Sequence, residues 1–156
     1  MQIHSLGLDD FCQEEYSLIG IHTTLEDYRL AYLLNKNLNT SFYKSKENLE
    51  FENFENKASF SVFNYSNTEY DFDWFLIANS FKREYQTTSN ELLLTSEIKT
   101  YLIPEKKKID FFIKISGDVS HSFVVETIEK IKKIDQVITS YYVDKQTLKS
   151  KDFLIF

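Results

Sequence analysis

The chain has 156 residues and a mass of 18.5 kDa, with 24 acidic and 18 basic residues and a formal net charge of −6. Hydrophobic residues make up 42% and aromatics 16%, while there are 3 Gly, 1 Pro and 1 Cys. This length and apolar mass suit one globular domain, 1–156, and exclude a disordered chain, a disulfide scaffold and a cluster of cysteine metal ligands.

No export or membrane signal is expected. The start, Met1 to Gly7, lacks a basic segment followed by a long apolar one, and Asp9-Asp10 closes it early. The longest apolar run, Trp74 to Ala78, is far shorter than a spanning helix. A cytoplasmic location is the expectation. Charge is unevenly spread: residues 1–80 carry 13 acids and 5 bases, and 81–156 carry 11 acids and 13 bases. The stretch Glu47–Asp73 holds seven acids against Lys57 alone, which disfavours general nucleic-acid binding.

In chain order, Tyr16–His22 reads as a strand with Ile19 and Ile21 on one face and Leu18 and Gly20 on the other, hence central and covered on both sides. Thr23 and Glu26 match a T-x-x-E capping box, predicting a helix from Leu25 to about Leu38 whose apolar arc includes Tyr28 and Tyr32. Short strands are predicted near 40–44 and 49–54, and stronger ones at 58–65 and 70–79, split by the turn-rich Ser66-Asn67-Thr68-Glu69. Glu97–Ile103 and Ile109–Ser116 read as a hairpin tipped by Glu105-Lys106-Lys107-Lys108. Gly117-Asp118 then leads into an amphipathic helix. Phe123, Val124, Val125, Ile128, Ile131 and Ile134 share its apolar face, with Glu126–Lys130 and Glu129–Lys133 as i,i+4 pairs. Val137–Val143 returns as a strand, and Leu154-Ile155-Phe156 is expected to dock. The whole predicts an α+β domain: a mainly antiparallel sheet, two helices on one face, and a ferredoxin- or ACT-like outline with strands inserted centrally.

The segment Ile103-Pro104-Glu105-Lys106-Lys107-Lys108-Ile109-Asp110-Phe111 resembles the signature of the IPExxxVDY family of Bacteroidota, with Ile109 in place of Val and Phe111 in place of Tyr. Segments 18–36, 77–79, 136–139, 148–151 and 154–156 agree, so the likeness spans nearly the whole chain. It implies no reaction, cofactor or site, because the family is uncharacterised. The hydroxyl of the last signature position is absent here: were it catalytic in relatives, this chain would lack the activity. The expectation is that the position packs in a strand, where Phe and Tyr exchange easily.

The most site-like segment is the strand-to-helix junction, His22, Thr23, Thr24, Glu26 and Asp27, with Arg29 just beyond. A helix N-terminus offers unpaired N–H groups to an anion, and His22 could shuttle a proton. The same residues serve equally as a helix cap. Metal binding would need His4, Cys12, His22 and His121 to converge from unrelated spacings, so no metal is expected. There is no nucleophile elbow or glycine-rich phosphate loop, and acidic neighbours suppress the Cys12 thiolate, so neither a catalytic residue nor a cofactor is assigned. Asp71 and Asp73 share a strand face and suit either a cation or a solvated edge; Lys106–Lys108 suit an acidic partner or plain solubility. Phe111-Phe112 and Tyr141-Tyr142 each place an aromatic on both sheet faces, so one member of each pair should be core and the other covered or open to a partner.

Three functional expectations follow. The first is a non-catalytic accessory or adaptor domain acting on an unidentified protein partner or on itself. The second is an ACT-like domain sensing a small ligand at a helix N-terminus. The third is an enzyme, which requires His22, Glu26, Asp27 or Arg29 to face one cleft.

Overall fold

Tyr16–Thr23 (β1) is the strand whose two faces are both apolar, and the computed structural model places it inside a six-stranded sheet. The structure describes residues 15–52, 57–69, 72–89, 92–154 and 156. After β1 come the helix Asp27–Leu38 (α1), then Tyr43–Lys44 (β2), Leu49–Glu52 (β3), Lys57–Phe60 (β4), Val62–Asn67 (β5) and Phe72–Ala78 (β6). The long strands Ser80–Ser89 (β7) and Leu92–Tyr101 (β8) follow. Phe111–Ser116 (β9), the helix His121–Lys132 (α2) and Val137–Val143 (β10) complete the main elements. The sheet runs β10-β1-β9-β6-β5-β2, and every pairing is antiparallel. The fold is α+β, and no described helix is long and apolar enough to cross a membrane.

Both helices cover one face. Ile19, Ile21, Leu76 and Ile113 of the sheet pack with Leu30 and Leu34 of α1 and with Ile128 and Ile131 of α2. Each such side chain contributes roughly 1.5–3 kcal/mol when fully buried. The opposite face carries Leu18, Ile77 and Phe112, and it too is closed. Its cover is Phe60 of the β3–β4 hairpin, the turn holding Ile103 and Ile109, and Leu148 and Leu154 near the C-terminus. Short segments therefore do what a second pair of helices would do elsewhere. Gly20 is required by this closure, since a Cβ there would meet Ile109 Cδ1 at 2.9 Å and Val143 Cγ2 at 3.1 Å. Lys114 lies on the same face, fully buried, with its ammonium 4.6 Å from the Phe156 ring centre and 5.0 Å from that of Tyr16.

Several expectations change. Thr23 is the last residue of β1, not a helix cap, and Glu26 at the N-cap makes no side-chain cap bond. The Thr23 hydroxyl instead donates to the Gln136 carbonyl at 2.8 Å and accepts from the Leu25 amide at 3.1 Å. A three-residue spacing was enough to mimic a capping box, but the strand's register kept Thr23 extended. Tyr28 and Tyr32 are exposed, so α1 buries a narrower stripe than its apolar arc suggests. Residues 58–65 are not one strand: Ser61 breaks them into β4, which pairs with β3, and β5, which pairs with β6.

The hairpin expected at 97–103 and 109–116 does not form. β8 pairs along its whole length with β7, a strand absent from the sequence reading, and β9 inserts between β1 and β6. Residues 104–108 are thus a turn between two sheets, opening with a 3-10 turn at Pro104–Lys106. In α2, Glu126 pairs with Lys130 at 3.3 Å as expected, but Glu129 meets Lys132 at 3.6 Å because the helix stops before Lys133. Phe123 and Val125 are partly exposed, and Ser120 caps the helix by accepting the Phe123 amide at 3.3 Å.

Candidate functional site

The strand-to-helix junction does line a cleft, open to solvent and about 720 Å³ in volume. Thr23, Thr24, Glu26 and Asp27 form one wall. Ser59 and Ser61, at the β4–β5 break, and Lys82 and Lys99, at the base of the β7–β8 ribbon, close it. Asp110, from the turn before β9, reaches its floor. Sequence reasoning placed four of these residues together and missed the rest. Their positions depend on β7, whose Lys82-Arg83-Glu84 run hides the strand alternation, and on the break at Ser61.

His22 and Arg29, the other two predicted site residues, are not among the lining residues. His22 alternates to the far side of Thr23, where its Nε2 lies 2.9 Å from the Tyr141 hydroxyl. Burial pushes that phenol's pKa upward. Arg29 is an exposed residue of α1. Of the four residues named for the enzyme expectation, Glu26 and Asp27 share the cleft, while His22 and Arg29 do not line it.

Asp27 is held in place by a polar chain. Ser61 Oγ donates to Asp27 Oδ2 at 2.6 Å and accepts from Lys44 Nζ at 2.7 Å; Lys44 also donates to Asn48 Oδ1 at 2.7 Å. With its lone pair directed to an ammonium and its proton to a carboxylate, the Ser61 hydroxyl pins the helix start to β4–β5. Opposite, Lys82 reaches Glu97 at 3.6 Å, while Lys99 lies 5.3 Å from the Tyr101 ring centre. The cleft thus has basic residues of the ribbon on one side and Glu26 and Asp27 on the other.

The signature-like segment performs structural work. Asn79, fully buried, accepts the Ile103 amide at 2.8 Å and donates to the carbonyls of Ile109 at 2.8 Å and Lys106 at 2.9 Å. Glu105 accepts from the amides of Lys149 and Ser150, both at 2.7 Å, and from the Ser150 hydroxyl at 3.0 Å. Desolvation opposes its charge, but these donors outweigh it, and the carboxyl is held below its ordinary value. Asp110 Oδ2 accepts the Thr23 amide at 2.9 Å. Phe111 packs in the helix-side core and also lines the cleft.

Elsewhere the candidates dissolve or fall outside view. Asp73 is exposed and accepts from Ser66 at 2.8 Å, whereas Asp71 lies outside the described residues. Among the described residues no three His, Cys, Asp or Glu side chains cluster as a metal centre requires; His4 and Cys12 are outside them. Phe111 is buried in the helix-side core and Phe112 under the short segments of the second face, as one core and one covered aromatic, whereas Tyr141 and Tyr142 are both partly exposed and neither is core. The edge position of β10 explains the tyrosines. No family model matches the chain, and no curated protein or solved structure matches it.

One element exceeds what the fold needs. The β7–β8 ribbon runs ten residue pairs without a register shift and forms its own two-stranded sheet. At its base Phe81 packs on the second core. Beyond it, Tyr85, Leu94 and Ile98 continue along the same face of the ribbon at 42%, 52% and 36% exposure, interleaved with Arg83, Ser96 and Thr100. Lys82, Glu84, Gln86, Thr95, Glu97 and Lys99 occupy the other face.

Proposed function

We propose that this protein is a non-catalytic cytoplasmic accessory domain that acts by protein–protein contact through the β7–β8 ribbon. The observation that carries this reading is the ribbon's amphipathic pattern. A two-stranded ribbon alone is marginal in water, and an apolar face held clear of its own core gains stability from a partner. Membership in the IPExxxVDY family belongs to the same reading. In its support, Glu105 and Asp110, two letters of the signature, both hold main-chain amides of distant segments.

A second reading, an ACT-like ligand sensor, is favoured by the polar cleft at the start of α1 and by the antiparallel order β10-β1-β9-β6. One experiment separates the two. The chain and a Leu94→Thr variant are isolated from native cells, and proteins and small molecules are identified in the same sample by mass spectrometry. A protein retained at fixed ratio by the wild type and lost by the variant supports the ribbon. A recurrent metabolite retained by both supports the cleft, and finding neither overturns both.

A further inference from the structure

Resting on that reading, we propose that the ribbon's partner is a second copy of this chain, joined through the outer edge of β8 in an antiparallel register centred on Ile98. Ten consecutive residues form β8, with no proline and no bulge in its pairing to β7. Its sheet has no third strand among the described residues, so a row of main-chain donors and acceptors faces outward. The charge pattern is the specific argument. Across the ribbon Lys82 stands opposite Lys99, and Glu84 opposite Glu97. Like charges in directly opposed positions destabilise a ribbon, and the diagonal Lys82–Glu97 contact at 3.6 Å engages one member of each pair, leaving Lys99 and Glu84. Lys99 has no carboxylate partner among the described residues.

A two-fold axis through Ile98 supplies a carboxylate to Lys99. It sets Glu97 of each copy opposite Lys99 of the other, Ile98 against Ile98, Ser96 against Thr100 and Thr95 against Tyr101. The contact is self-complementary, as a two-fold interface must be. Ser, Thr, Ile and Tyr are also residues that pair well across strands.

The test uses the full-length chain in sedimentation experiments across a concentration series. The wild type should dimerise. Glu97→Lys and Lys99→Glu should each raise the dimer dissociation constant at least tenfold, because each creates like-charge pairs on both sides of the axis. The double variant Glu97→Lys/Lys99→Glu should restore it. In a Cys12→Ser background, Ile98→Cys should give a disulfide-linked dimer on oxidation. A chain monomeric throughout, a dimer indifferent to both single reversals, or a double variant that stays monomeric overturns the proposal. If the chain is monomeric yet a different protein is lost on Leu94→Thr substitution, the second copy is excluded and the docking role of the ribbon stands.

Discussion

The Asn79 side chain accepts the Ile103 amide at 2.8 Å from a position with no exposure to solvent. This contact joins the end of β6 to the turn that leads into β9, and it explains how two segments 24 residues apart share one corner of the second core. The same amide group donates to two carbonyls of that turn, so one side chain satisfies three main-chain groups.

Asn79→Ala should therefore be among the most damaging single substitutions. It leaves the Ile103 N–H and the Ile109 carbonyl unpaired, at about 1–3 kcal/mol each before relaxation, while the Lys106 carbonyl keeps the Ile109 amide; a net loss of roughly 3 kcal/mol is expected. Urea unfolding measures it; a loss under about 1 kcal/mol would contradict the role given to this residue.

Glu105 makes stability depend on pH. Its carboxyl, ordinarily near 4.5, is lowered in the folded protein by the donors of Ser150 and Lys149, against the opposing effect of desolvation. A lowered carboxylate stabilises above its unfolded pKa and ceases to do so as pH falls through the folded value. Glu105→Gln should cost about 1 kcal/mol at pH 7, a figure kept small because the residue is exposed, and the gap from wild type should close below pH 4.5. Denaturant titrations at a series of pH values test the sign.

Gly20→Ala should destabilise by about 1–3 kcal/mol through overpacking against Ile109 and Val143. Because the closest atom is Ile109 Cδ1, the double variant Gly20→Ala/Ile109→Val should be more stable than the sum of the singles predicts. Strict additivity in thermal unfolding would show that this contact is not the limiting one.

Gly117→Ala combines strain with a clash. The residue has φ of +110°, and a Cβ would meet Phe72 Cδ1 at 2.9 Å. An L side chain rarely adopts that conformation, so a loss above about 1 kcal/mol is expected, with Gly117→Asn no better tolerated. Calorimetry showing an unchanged melting temperature would refute it.

The tyrosine-rich surface of α1 illustrates why patterns mislead. Tyr28 and Tyr32 fall on an apolar arc by helical projection, yet their hydroxyl-bearing rings stay in water while Leu30 and Leu34 enter the core. The Tyr28 phenol is raised in pKa by its hydrogen bond to Glu26, followed by that carboxylate's charge, an interaction made at the exposed end of the helix. Periodicity identifies a face but not which edge of it the neighbouring elements reach.

The sequence by itself determined the α+β class, the two helices, the double-sided burial of β1 and four lining residues of the cleft: Thr23, Thr24, Glu26 and Asp27. Those features follow from short-range periodicity and from residues adjacent in the chain. Only the tertiary structure decided that β8 pairs with β7, that β9 lies between β1 and β6, and that Glu105, Asp110 and Asn79 act as main-chain clamps. It also decided that the sheet's second face is covered by short segments and that Tyr85, Leu94 and Ile98 lie exposed on one face of a ribbon. Strand pairing is a contest among partners distant in sequence, settled by how whole faces pack, and an isolated strand carries no record of which edge it will join.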